Sequence, residues 1–280
     1  IFMLVIIHGV LQMKSSYFIV DKLRLKRVSI CENAWLYGLY RWINEAFLAG
    51  GCLCRARRYL ARMKNALIIG SSGGIGSAVC GALTQQGVEV TGLSRREQGL
   101  QITDETSVER CLGALDGPYD LIFVATGALE VAGDRPEKTI SQISSDAMMA
   151  QFAVNCIGPS LVLKHARRLM PRDRRGVFAA LSARVGSIGD NRLGGWYAYR
   201  TAKAALNQML HSAAIELGRT HPQMICAALH PGTVQTEFTR KYVGRHPTVS
   251  PNAAAVDLLA VISELTPEQT GGFFDWSGFE

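Results

Sequence analysis

The run Ala66-Leu67-Ile68-Ile69-Gly70-Ser71-Ser72-Gly73-Gly74-Ile75-Gly76 decides how the rest of the chain is read. Four apolar residues end in a glycine-dense turn. From Ile75 onward apolar side chains recur at helical spacing through Ala78, Val79, Ala82 and Leu83. The order is strand, loop, helix N-terminus. Glycine tolerates positive φ and lets a ligand lie against the backbone, and the free N–H groups and positive dipole end of a helix suit a pyrophosphate. The spacing of Gly70, Gly74 and Gly76 fits such a loop and fits an ordinary strand-to-helix turn as well, so the residues downstream have to decide.

Outward from this stretch the pattern alternates. Short apolar runs at 66–69, 88–93, 100–102, 121–125, 176–181, 224–229 and 272–276 read as strands. Helical periodicity covers 75–86, 106–115, 144–170, 197–217 and 253–264, with a kink expected in the third of these at Gly158-Pro159. Buried strands alternating with helices predict an α/β fold: a Rossmann-type doubly wound parallel sheet of about seven strands in three layers. Residues 63–280 read as one such domain.

The chain has 280 residues, 48% apolar, 8% aromatic and 19% charged, a core-forming composition with a formal charge of +7. Residues 1–62 carry ten Lys/Arg against three acids and so hold that whole excess. The remainder is neutral, which argues against a nucleic-acid partner for the domain. Residues 1–62 are expected to be a basic extension, poorly ordered or non-native, because Met63 stands immediately before the first strand. The competing expectation is a membrane-surface anchor or targeting segment. Seven cysteines, an odd number without metal or redox spacing, and six scattered histidines predict reduced thiols, a cytoplasmic setting and no metal site.

A second stretch carries chemistry: Gly194-Gly195-Trp196-Tyr197-Ala198-Tyr199-Arg200-Thr201-Ala202-Lys203. Tyr199 and Lys203 are four apart in an expected helix and share a face. A free tyrosine titrates near about 10, and a neighbouring cation favours the phenolate. The pair reads as a tuned proton donor or as a surface pair at common helical spacing.

The glycine loop and the Tyr–Lys pair lie 123 residues apart, Gly76 to Tyr199, with strands and helices in order between them. With these motifs, and with the runs 186–191 and 195–207, residues 63–280 resemble the short-chain dehydrogenase/reductase family, in particular the carbonyl-reductase branch of bacterial C-factor and insect sniffer proteins. The resemblance implies an oxidoreductase moving hydride between nicotinamide C4 and a small carbonyl or alcohol substrate, with Tyr199 as general acid/base. It implies that Lys203 lowers the pKa of Tyr199 and holds the nicotinamide ribose, and that Asn155 holds a water in the proton relay. Gly70, Ser72, Gly73, Gly74, Ile75 and Gly76 would form the cofactor loop, with Thr126 and Gly127 in the turn after the fourth expected strand. Pro231, Gly232, Val234 and Thr236 would fix the carboxamide. Stretches 128–135, 186–195 and 236–245 would line the substrate pocket, and the two long helices would pair copies into a homodimer or homotetramer.

Cofactor choice rests on Ser94, Arg95 and Arg96 after the second strand. An acid there would bind a ribose 2′-OH. Two arginines instead fit a 2′-phosphate, which predicts NADP(H) in preference to NAD(H); solvated arginines are the alternative. The chain also departs from the family. Ala183 stands where its catalytic serine belongs, with Ser182 one residue earlier on the opposite strand face. Either Ser182 turns inward, or Ser187 replaces it, or activity is reduced, leaving a nucleotide-binding regulator as the alternative function. Gln101 replaces an adenine-binding acid.

Overall fold

The computed structural model describes residues 62–131, 133, 135–242 and 248–280. The expectations for residues 1–61, and for 132, 134 and 243–245 of the substrate pocket, lie outside the described residues.

The chain enters β1 (Asn65–Ile69), turns through the glycine loop into α1 (Gly74–Gln85), and returns in β2 (Glu89–Leu93). Short α2 (Arg95–Gln98) and α3 (Glu105–Gly113) lead to β3 (Leu121–Val124). A long helical stretch follows as α4 (Ser145–Phe152), a π-helical turn (Ala153–Ile157) and α5 (Gly158–Ala166). Then come β4 (Gly176–Leu181), α6 (Tyr197–Leu217), β5 (Met224–His230), α7 (Pro251–Glu264) and β6 (Phe273–Asp275).

The strands form one parallel sheet in the order β2-β1-β3-β4-β5-β6. Alternate side chains face opposite layers. Leu67, Ile69, Ile122, Val124, Phe178, Ala180, Cys226 and Ala228 pack with α3, α5 and α6. Ala66, Ile68, Phe123, Val177, Ala179, Ile225 and Leu229 pack with α1 and α7. All six β4 residues are buried, as a central strand covered on both faces requires. Truncating Phe178, fully buried there, to alanine would cost roughly 3–5 kcal/mol. The chain leaves β1 for β2 on one side and returns to β3 on the other. The crevice between the C-terminal ends of β1 and β3 is thus the switch point at which such sheets bind ligands.

Two sequence expectations need correcting. Residues 100–102 are not a strand, and the described sheet has six strands rather than seven. Gly99 adopts φ 66, and Leu100 N–H bonds back to the Ser94 carbonyl at 3.2 Å. Leu100 then serves as a core anchor at the edge of the sheet instead of extending it. The irregularity of the long helix precedes Gly158-Pro159 rather than falling on it. Pro159 has no N–H to offer the carbonyl of Asn155 four residues back, and the turn before it widens to π geometry, with the Gly158 N–H reaching Ala153 O. Pro159 itself is comfortable in the first turn of α5.

Candidate active site

Gly70 leaves β1 at φ 85. Its N–H and that of Ser71 both reach Leu93 O, at 2.7 and 3.3 Å, and its carbonyl accepts from Gly73 N–H at 3.0 Å. The loop leaves no room for side chains. A Cβ at position 76 would lie 2.2 Å from Gly70 O, one at 74 would lie 2.7 Å from Thr236 Cγ2, and one at 70 would lie 3.0 Å from Thr126 Cγ2. Loops after β1, β3 and β5 therefore converge on the N-terminus of α1. Gly73 caps that helix without a side-chain bond, and no acid stands in its first turn, so its first amides are left to a ligand. The hydroxyls of Ser71 and Thr126 are buried without any partner. Unclaimed helix amides, orphaned hydroxyls and a cradle that any Cβ would fill together fit a dinucleotide. Ile75 is half-buried beneath the loop, whereas Ser72 is exposed. Ser94 is buried and caps α2 by accepting from Glu97 N–H at 3.2 Å. Arg95 and Arg96 follow it, exposed and outside every ion pair found among the described residues. Gln101 uses its backbone N–H on Ser107 Oγ at 3.0 Å.

Tyr199 and Lys203 lie one turn apart on the buried face of α6, 6% and 2% exposed. Asn155, fully buried on the π-helical turn, is locked by three bonds. Its Oδ1 accepts from Ala128 N–H (3.1 Å), and its Nδ2 donates to Ala128 O (2.8 Å) and to Gln151 Oε1 (2.7 Å). Gln151 Nε2 in turn donates to Leu129 O at 2.8 Å. The space beside Gly127 joins these groups, since a Cβ there would lie 3.1 Å from Asn155 Oδ1 and 3.5 Å from Lys203 Nζ. Gly186 lets Lys203 pass, where a Cβ would meet Lys203 Cβ at 2.8 Å. Pro231 and Gly232 follow β5, Gly232 at φ 76 against Trp276. Val234 is buried and bridges Val249. Thr236 hydrogen-bonds Thr239 beside Gly74.

The electrostatics differ from expectation. Lys203 Nζ lies 5.9 Å from the Tyr199 ring centroid and donates instead to Leu181 O at 2.8 Å. Burial dominates both groups. It pushes the Tyr199 phenol far above its ordinary value and brings the Lys203 ammonium down to about 7. In the protein alone Lys203 therefore does not lower the pKa of Tyr199, and Tyr199 stays a neutral phenol across the physiological range.

Ser182 is 4% exposed and donates to Asn207 Oδ1 at 2.7 Å. It points to the α6 side of the sheet, as its strand parity with Phe178 and Ala180 dictates. Ala183, extended at φ −149 and ψ 146, carries no group that could take the serine role. Ser187 Oγ accepts from Asp190 N–H at 3.3 Å.

The wall beside Tyr199 is built from Trp196, to which sequence reasoning gave no role, and from residues of the stretches 128–135 and 236–245 expected at the substrate pocket. Trp196 lies edge-on to Tyr199 with centroids 6.4 Å apart and to Tyr242 at 5.7 Å, and Phe238 flanks Tyr199 at 6.4 Å. Lys241 Nζ donates to Glu130 Oε2 at 2.7 Å and the Tyr242 hydroxyl donates to Oε1 at 2.5 Å, closing the same wall. Gln151 had a usable signal, its position one helical turn before Asn155. Asn207 and Glu137 had none.

The family model described as enoyl-(acyl carrier protein) reductase matches residues 69–261. The chain belongs to the short-chain dehydrogenase/reductase family, oxidoreductases that act on small molecules. The 1-hydroxy-2-glutathionyl-2-methyl-3-butene dehydrogenase of Rhodococcus sp. (strain AD45) is 28% identical over 227 residues, covering 75% of this chain and 96% of that protein. The C-signal protein of Myxococcus xanthus is 36% identical over 137 residues, 48% of this chain and 76% of that one. A short-chain dehydrogenase/reductase from Burkholderia multivorans with bound NADP superposes with a TM-score of 0.67 at 26% identity, covering 78% and 98% of the two chains. The carbonyl reductase Sniffer of D. melanogaster shares the fold at a TM-score of 0.62 and 20% identity, covering 77% and 98%.

Proposed function

We propose that the protein is an NADP(H)-dependent reductase that interconverts a small carbonyl compound and its alcohol. The carrying observation is the burial of Tyr199 and Lys203 on one face of α6, against Asn155 and Gly127, at the sheet's switch point. The first turn of α1 with Ser71 and Thr126 would hold the pyrophosphate, Arg95 and Arg96 the 2′-phosphate, and Pro231 to Thr236 the carboxamide. The bound cofactor supplies or accepts a hydride at nicotinamide C4. The chain supplies the rest. Tyr199, kept neutral by burial, donates its proton to the substrate oxygen. Lys203, titrating near 7, gains and loses a proton readily and reloads the phenol, with Asn155 orienting the water between them. Trp196, Phe238 and Tyr242 exclude bulk solvent. The bound NADP of the Burkholderia multivorans relative supports the cofactor choice. Free thiols at Cys80, Cys111, Cys156 and Cys226 support a cytoplasmic setting, and pairing of copies through α4–α5 and α6 completes the reading.

One observation favours a second reading, a nucleotide-binding regulator: Ser182 is committed to Asn207 and Ala183 is inert. NADPH oxidation over a panel of aldehydes, ketones and quinones separates the two. The reductase reading requires turnover that Tyr199→Phe abolishes while NADPH affinity is kept. Tight NADPH binding without Tyr199-dependent turnover on any compound selects the regulator.

A further inference from the structure

Helix α6, which carries both Tyr199 and Lys203, begins without a cap of its own. Gly194, Gly195 and Trp196 take φ 64, 66 and 52 in succession. Trp196 then occupies the cap position with no side-chain bond to the helix, because an indole has no acceptor to offer. The amides of a first helical turn need acceptors. The acceptor here comes from 61 residues upstream. Both carboxylate oxygens of Glu137 accept from Ala198 N–H, at 3.4 and 3.3 Å, and the Glu137 carbonyl accepts from Trp196 N–H at 2.6 Å. The fit is close, since a Cβ on Gly195 would lie 3.3 Å from Glu137 O.

Glu137 is 6% exposed, and among the described residues no ion pair involves it. A carboxylate buried without a counter-ion is costly; what compensates it is the positive end of a 21-residue helix. A serine or aspartate at position 196 would cap α6 locally, but position 196 holds the tryptophan that walls the site against Tyr199 and Tyr242. The residue after Ala198 is Tyr199.

We propose that Glu137 is a positioning residue for Tyr199, a remote anionic cap that fixes the first turn of α6 and frees the cap position for an aromatic wall. It rests on the reading of Tyr199 as proton donor. It acts through backbone placement and does not touch substrate.

Glu137→Ala and Glu137→Gln are compared with Asp104→Ala, which removes the cap of α3, where Asp104 Oδ1 accepts from Thr106 N–H at 3.1 Å. Three quantities are measured: amide exchange of residues 197–200 in the cofactor-free protein, NADPH affinity, and kcat with the panel compound the wild type reduces fastest. Glu137→Ala speeds exchange at Ala198 and lowers kcat by roughly 10- to 100-fold, since small misplacements of a reacting group are that expensive, while NADPH affinity stays within about threefold of wild type. Glu137→Gln keeps an acceptor oxygen and rescues both readouts. Asp104→Ala destabilises the fold and leaves kcat unchanged. Wild-type exchange at Ala198 in Glu137→Ala overturns the proposal, as does a loss of kcat that Asp104→Ala shares. If no compound shows Tyr199-dependent turnover, the reductase reading has failed, and the exchange data alone decide whether Glu137 holds the turn.

Discussion

Two glycines in one helix, Gly76 and Gly81 of α1, should respond to alanine in opposite directions. At position 76 the new Cβ would lie 2.2 Å from Gly70 O, 2.9 Å from Gly70 C and 3.3 Å from Ala125 Cβ. Real Cβ contacts essentially never fall below 3.0 Å, so the carbonyl must retreat by at least 0.8 Å. Gly70 cannot yield freely: its N–H donates to Leu93 O, its carbonyl accepts from Gly73 N–H, and there is no room for even a Cβ between it and Thr126. Overpacking of this kind costs about 1–3 kcal/mol, and a loosened loop hydrogen bond adds about 0.5–1.5 kcal/mol. Against this stands the helix propensity of alanine over glycine, about 1 kcal/mol. The net loss is roughly 0.5–3.5 kcal/mol. At position 81 a Cβ meets nothing within 4 Å, so the propensity gain of about 0.5–1 kcal/mol is kept. For a domain of this size each kcal/mol moves Tm by about 2–4 °C. Thermal unfolding should therefore place Gly81→Ala a few degrees above wild type and Gly76→Ala below it. NADPH titration followed by fluorescence should find affinity weakened at least tenfold in Gly76→Ala and unchanged in Gly81→Ala. A Gly76→Ala protein as stable as wild type, or a Gly81→Ala protein that binds NADPH poorly, would refute the reasoning.

Three further predictions follow from the site. The Lys203 ammonium is depressed from 10.5 to about 7. Between those values the unfolded chain holds a proton that the folded protein lacks, so this group makes stability rise with pH, by up to ~1.4 kcal/mol per unit. Urea midpoints of the cofactor-free protein at pH 7 and 8.5, wild type minus Lys203→Met, should show that positive slope, and a zero or negative difference would contradict the burial argument. Ala183→Ser should raise kcat by restoring a hydroxyl donor at the strand end, whereas Ser182→Ala, which strands Asn207 Oδ1, should cost roughly 1 kcal/mol in urea unfolding and leave kcat within about twofold; the reverse pattern would make Ser182 catalytic. Arg95→Glu with Arg96→Glu should weaken NADPH at least tenfold more than NADH in binding titrations, because the lost contacts are charge-assisted bonds to the 2′-phosphate alone; equal weakening would leave the arginines solvated.

Where local pattern and tertiary demand coincide, the chain was legible. Strand 66–69, the glycine turn and helix 197–217 could be read because each combines a clear period with an unambiguous stop, and helical spacing put Tyr199 and Lys203 on one face, whereas their role rested on the family resemblance. Residues 100–102 misled because three alternating residues look the same in a strand and in a folded-back loop whose apolar side chains anchor the core. The π-helical turn was hidden in the right neighbourhood: Pro159 announced the disturbance, but its effect falls on the carbonyl four residues earlier. The electrostatic balance at Tyr199 was missed because spacing gives adjacency and says nothing of depth, and depth decides the sign of the shift. Glu137 could not be found because its partnership with Ala198 spans 61 residues and exists only once the chain has folded back.

The strand order also constrains how the chain reaches this state. β1 sits between β2 and β3, and its register with β3, Ala66 against Leu121, joins residues 55 apart. β4 and β5 pair Gly176 with Met224 across a similar separation. Among the described strands no short-range hairpin is available to start the sheet, so every rung must first meet the entropy of closing a long loop, which grows as about (3/2)RT ln n. Such topologies fold slowly and stay exposed to mispairing in the meantime. The fully buried β4 needs both β3 before it and β5 after it before its two edges are paired.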